Sequence, residues 1–186
     1  WNLLRTVAMV PDEVRALVDY CDERSLPLWL VSEQRSRFNY HFNDRVPVVM
    51  AEIHTEIPER CDLHTMLQEP VVKAVMFLTA QEVREGPLSF MPHARSTQWF
   101  IHGQDIIPAE GGKLPAMRFM AEANGWTPDE LMAFGDSEND NEMLRYAGTG
   151  VAMGNALEET KAASDYVTDD CDDEGVAHAL AHFALI

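Results

Sequence analysis

Seven consecutive residues, Phe134-Gly135-Asp136-Ser137-Glu138-Asn139-Asp140, set three polar side chains where an apolar run over 131–134 gives way to a helix-forming stretch. In an open α/β sheet the loops at the carboxyl ends of the strands line the ligand crevice. Asp136 is therefore expected to face a site, and Asn139 and Asp140, in the first turn of the following helix, can converge on it. Hard oxygen donors of this kind suit Mg²⁺, which keeps several waters and shares substrate phosphate oxygens. The chemistry implied is phosphoryl transfer or hydrolysis.

The same residues admit a plainer reading, in which Asp136 or Ser137 caps a helix whose early Glu138 and Asp140 complement the macrodipole. Taken alone, the motif does not choose between the two. A calcium loop is a third reading, but it needs Gly at its sixth position and a bidentate Glu at its twelfth. Counting from Asp136, those positions hold Asn141 and Ala147, so calcium fails.

The residues that follow decide the matter. Met143-Leu144-Arg145-Tyr146-Ala147-Gly148 continues the helix, and Gly150-Val151-Ala152-Met153-Gly154-Asn155-Ala156 reads as strand and turn. With Ala163-Ser164-Asp165-Tyr166-Val167-Thr168 and Asp173-Glu174-Gly175-Val176-Ala177, this block resembles haloacid-dehalogenase-type (HAD) phosphatases. The match is to the Cof-like group with a large C2-type cap, whose C-terminal half reads Gly-Asp-x-x-Asn-Asp-x-x-Met and then Gly-Val-Ala-Met-x-Asn-Ala. It is detailed over about 105–186 and architectural before that.

The resemblance implies an α/β fold: the C-terminal half of a HAD Rossmann-like parallel-sheet core plus an α+β cap of C2 type. It makes Asp136 the Mg²⁺-binding carboxylate, with Asp140 as its acidic partner at the metal, and has Asn139 reach the substrate phosphate. Ile107-Pro108-Ala109-Glu110-Gly111-Gly112-Lys113 resembles the segment that delivers the family's phosphate-clamping lysine, here Lys113. A cation there offsets charge building on the transferring phosphoryl group. Where the family usually follows this lysine with Gly, the chain has Leu114.

The family's reaction also needs a nucleophilic aspartate in an Asp-x-Asp-Gly-Thr loop, which these residues do not contain, and a Ser or Thr ending the next strand. The Asp-x-Asp at Asp170-Cys171-Asp172 aligns with the start of the family's last helix and reads as a capping acidic turn. Because Trp1 is not a translation start, the expectation is that an N-terminal core segment, in the same gene or a separate chain, carries the nucleophile. The complete protein is then expected to hydrolyse small phosphorylated metabolites, sugar phosphates foremost, through a phosphoaspartyl intermediate. This chain alone is expected to be inactive. Two rivals remain: a non-catalytic HAD-like binding module, and a phosphotransferase or mutase on the same core.

The elements that must position these residues alternate after Lys113: helix 114–124, strand 131–134, helix 139–147, strand 150–152, helix 156–163, strand 166–168, helix 174–183. Such alternation predicts a parallel sheet. The first hundred residues differ. Residues 11–24 predict an amphipathic helix with Val14, Leu17, Val18 and Cys21 on one face; 28–32, 46–50, 71–79 and 97–102 predict strands; short helical stretches fall at 61–68 and 80–86. The expected division is a cap over 1–107 and a core over 108–186, parting near the Pro and Gly of 107–112. Arg35 and Arg37, in a polar stretch rich in aromatics, are candidates for contact with an anionic or sugar-like substrate, although an ordinary exposed loop is the commoner case. The seven histidines have no metal-ligand spacing, and Met117, Met120, Met132 and Met143 read as packing residues.

Composition sets outer bounds. Against 14 basic side chains stand 31 acidic ones, a formal charge of −17 that repels nucleic acid and anionic lipid. A small phosphorylated ligand remains compatible, because Mg²⁺ and Lys113 supply positive charge locally. No apolar run approaches the ~18 residues of a membrane helix. Three widely spaced cysteines, Cys21, Cys61 and Cys171, suggest reduced thiols and a cytoplasmic setting.

Overall fold

Helical and strand periodicities sort the first half of the chain into two layers on a sheet. The computed structural model describes residues 3–186 and divides into two units, Trp1–Gly111 and Gly112–Ile186. The division falls four residues beyond the expected one, because a final strand of the first unit runs through Ile107 and Pro108 and its chain stays tied in place by Ala109 N donating to His93 O at 2.8 Å.

The first unit begins with α1 (Pro11–Glu23), where Pro11 takes the position whose N–H has no helical partner and Asp12 and Glu13 face the positive end. Five strands follow: β1 (Leu28–Ser32), β2 (Ser36–Phe38), β3 (Val71–Met76), β4 (Ala94–Phe100) and β5 (Gly103–Pro108). They form one antiparallel sheet in the order β2-β1-β3-β5-β4. Alternation along the strands sends Leu28, Leu30, Ala74, Met76 and Ile106 to one face, where they bury against Val14, Leu17, Val18 and Cys21 of α1. The intervening Val75, with Phe38 and Phe77, belongs to a second core.

That second core corrects the expectation of a strand at 46–50. These residues form α2 (Arg45–Glu52). Val46, Val49 and Met50, spaced i, i+3, i+4, are buried on Phe38, Val75 and Phe77, whereas Val48, which a strand would place beside them, is 52% exposed. Pro47 fits the first helical turn and would remove a ladder donor from a strand. β-Branched propensity loses here to the stripe that the sheet face can cover. The strand expected at 97–102 is instead a hairpin, with β4 starting earlier and β5 returning from a turn at Ile101 and His102. β2 lies within the stretch read as a polar loop.

The second unit runs α4 (Lys113–Asn124), β6 (Met132–Gly135), α5 (Asn141–Tyr146), β7 (Thr149–Ala152), α6 (Glu158–Lys161), β8 (Tyr166–Val167) and α7 (Gly175–His182), so counting α3 (Ala80–Glu85) in the first unit there are seven α-helices among the described residues. Strand-helix alternation gives a parallel sheet in the order β6-β7-β8. Gly112, at φ 112°, turns the chain into α4 in a conformation that side chains rarely adopt. Ala133, Leu144 and Ala147 form a small core with Met117, Leu131 and Met143 half-buried around it. Met120 is 40% exposed, so packing does not explain that methionine.

Candidate active site

β6 ends at Gly135, and the chain leaves the sheet through Asp136 and Ser137 into a 3₁₀ turn, Glu138–Asp140, that leads directly into α5. The loop is fastened to the turn after β7: Met153 N donates to Gly135 O at 2.9 Å, and Leu157 N donates to Asp136 O at 3.1 Å. Within this frame Asp140 folds back under the strand end and is 1% exposed. Its Oδ2 accepts from Asp136 N at 3.1 Å and from Ser137 N at 3.3 Å. Its Oδ1 accepts from Lys113 Nζ at 2.6 Å.

A buried carboxylate is costly unless it is paired and hydrogen-bonded, and Asp140 meets both conditions. The same contacts fix two other groups. Lys113, the first residue of α4, is drawn to the carboxyl end of β6, its ammonium also 3.5 Å from Asn139 Oδ1. Asp136 is held by its amide, leaving its own carboxylate exposed and, among the described residues, without an ion pair or hydrogen bond. Lys113, Asn139 and Asp140 thus come into contact, and Asp136 adjoins them through the backbone. The two acids anticipated at a metal differ in kind: Asp136 offers a free hard oxygen, whereas both oxygens of Asp140 are engaged inside the protein.

One residue that the sequence reading named within the motif but gave no role is Gly135. A Cβ there would lie 2.3 Å from Asp140 Cβ and 2.7 Å from its Cγ, so only glycine lets the carboxylate approach the strand end this closely. The signal available was a glycine ending an apolar strand immediately before the acidic motif.

The other candidates have structural partners. Arg35 pairs with Glu69, its Nε 2.8 Å from Oε1, and this contact holds the Glu69 carboxyl below its usual range; Ser32 Oγ donates to Oε2 at 2.7 Å. Arg37 meets Glu59 at 2.9 Å. Asp170 caps the 3₁₀ turn Cys171–Asp173 by accepting from Asp172 N at 3.2 Å, as expected of a capping acidic turn. The Asp170, Cys171 and Asp172 ligand atoms lie within 4.8 Å of one another, but hydrogen bonding to Asp170 pushes the Cys171 thiol up, away from the thiolate that binds metals.

A family model of haloacid dehalogenase-like hydrolases matches residues 1–180. The chain belongs to that family. It is 29% identical over 173 residues to the protein YkrA of Bacillus subtilis (strain 168), covering 93% of this chain and 66% of that relative. It is 33% identical over 152 residues to a phosphoglycolate phosphatase of Methanothermobacter thermautotrophicus, covering 77% and 67% of the two. Among solved structures, the HAD subclass IIB sugar phosphatase BT4131 superposes with a TM-score of 0.84 at 29% identity, over 96% of this chain and 68% of that one. The chain therefore spans about two thirds of the length of these HAD relatives. The α/β fold expected from the Cof-like motifs, a Rossmann-like parallel sheet with an α+β unit, is the fold of these HAD structures.

Proposed function

We propose that this chain supplies the metal- and phosphate-contacting side of a Mg²⁺-dependent HAD phosphatase acting on small phosphorylated metabolites, with sugar phosphates the favoured class. The observation that carries this reading is Asp140, which gathers the Lys113 ammonium and the Asp136 loop at the carboxyl end of β6. The names of two relatives, a phosphoglycolate phosphatase and a sugar phosphatase, support the substrate class.

Asp136, exposed and unpaired among the described residues, has the donor chemistry for Mg²⁺. When bound, the ion offsets negative charge on the phosphoryl oxygens. Lys113 sets a second positive charge beside them, and the Asn139 amide donates to a phosphate oxygen. Asp140 acts at the metal site by holding Lys113 and the Asp136 amide in place. In a chain of net charge −17 these local cations decide whether a phosphate can approach at all. We assign the first unit the role of a cap that excludes water and selects substrate. The unpaired Cys21, Cys61 and Cys171 support a cytoplasmic setting. Among the described residues no helix is long and apolar enough to cross a membrane.

The attacking aspartate, its phosphoaspartyl intermediate and the second aspartate that activates water are placed in a core segment outside these 186 residues, because the chain has no Asp-x-Asp-Gly-Thr loop. The test is release of phosphate from an aryl phosphate by the purified chain, with Mg²⁺ and with EDTA. No metal-dependent turnover is expected. Turnover that EDTA abolishes would put the nucleophile inside the chain, and Asp170 and Asp172 would be tested first.

A further inference from the structure

Away from the phosphate site, His64 of the first unit lies between two acids. Its Nδ1 is 2.9 Å from Asp62 Oδ1 and its Nε2 is 2.8 Å from Asp19 Oδ1. An ionised carboxylate only accepts, and a neutral imidazole carries a single N–H. Both contacts are therefore made together only by the imidazolium. Asp22 joins from the same helix as Asp19, with Oδ2 4.0 Å from His64 Nδ1 and Oδ1 3.0 Å from His41 Nε2.

These groups come from three pieces of chain. Asp19 and Asp22 lie on α1, Asp62 caps the 3₁₀ turn Leu63–Met66 that contains His64, and His41 follows β2. Asp62 Oδ1 also accepts from His64 N at 3.0 Å. The charged groups facing His64 are Asp19 and Asp22 from α1 and Asp62 from its own turn. The neighbouring Arg24 is turned to Glu23 and the Tyr20 ring. Near His41, the exposed Phe42 ring has the Arg60 guanidinium 5.5 Å from its centroid.

We propose that this cluster is a proton-operated latch: with His64 protonated, the 63–66 turn is bridged to α1. Loss of that proton breaks one of the two bridging contacts and loosens the turn, whose Leu63 and Met66 stay anchored in the core. Hydrogen bonding, to Asp19 first and then Asp62, raises His64 above its ordinary value, and the His64 amide and ring hold Asp62 below its own. A raised histidine contributes stability that is full below its unfolded value, roughly 6.5, and is lost as pH climbs through the higher folded value. A lowered aspartate contributes above its unfolded value, roughly 3.9, and loses it as pH falls through the folded one. The latch is thus closed from mildly acidic pH up to the raised His64 midpoint and opens on the alkaline side.

The experiment follows His64 by NMR titration in the full chain and in Asp19→Asn. Amide exchange of residues 61–66 is read at pH 6 and pH 9, corrected for intrinsic rates, in the full chain and in His64→Gln. Expected are a His64 midpoint above that of a free histidine, a lower midpoint in Asp19→Asn, and alkaline loosening of the 61–66 segment that His64→Gln abolishes. A midpoint at or below the free value, or alkaline opening that persists unchanged in His64→Gln, would overturn the latch.

Discussion

At residue scale Asp140 is a tie: its Oδ2 accepts from two amides of the Asp136 loop and its Oδ1 accepts from the Lys113 ammonium. The carboxylate fits only because residue 135 has no side chain, which makes Gly135 the sharpest single-atom test of the arrangement. Gly135→Ala is expected to cost about 1–3 kcal/mol, the usual range for overpacking, read as a lower urea midpoint with an unchanged slope. A neutral result would mean that Asp140 does not lie where it is described. That Asp136, Asn139 and Lys113 lie together at the end of β6 was legible in the sequence because their types and spacing resemble a recognised motif. The dependence on Gly135 was not, because it arises from a contact between a strand end and a helix start that no periodicity encodes. Arg35 and Arg37 were candidates for the same reason that they make good ion-pair partners, and only their contacts with Glu69 and Glu59 separate the two uses.

Among the elements, α2 and α3 show how neighbours settle what local sequence leaves open. The run Val46-Pro47-Val48-Val49-Met50 has strand-like composition, yet it becomes a helix whose Arg45 reaches Glu82 of α3, Nη1 to Oε2 2.7 Å. Glu82 also closes a capping box with Thr79 at the start of α3. Hydrogen bonding to Arg45, ahead of the contacts with Thr79, lowers the Glu82 carboxyl from 4.5 to about 2. A lowered acid stabilises the fold above its unfolded value and ceases to do so as pH falls through the folded one. The Arg45–Glu82 contribution is therefore full above about pH 4.5 and fades toward pH 2, a modest effect because both side chains are partly exposed. In Glu82→Gln the loss of stability between pH 5 and pH 2 should be smaller than in the parent chain, as measured by urea unfolding; an identical loss would separate Glu82 from the acid limb. By contrast, the strand-helix alternation after Lys113 was legible, because each short strand is followed by a polar turn and then a helix start.

At the scale of the whole molecule, the two units have separate cores, and the chain passes from one to the other at Gly111 and Gly112. The sequence reading missed the last strand of the first unit because Gly103 and Pro108 at its two ends read as turn residues, although in a strand that ends at proline no ladder donor is lost from its middle. The family match over residues 1–180 makes the chain a haloacid dehalogenase-like hydrolase, and the proposed reading adds to it the Asp-x-Asp-Gly-Thr loop that these 186 residues lack. The central claim is that Asp136 is the metal-binding carboxylate of a phosphatase. Its most direct test joins this chain to a segment carrying that loop and compares aryl phosphate hydrolysis with Asp136→Asn in the same protein. Turnover that EDTA abolishes in the parent, and a loss of at least about 10²-fold in the variant, is the expected result. Equal, metal-dependent turnover by both proteins would contradict it.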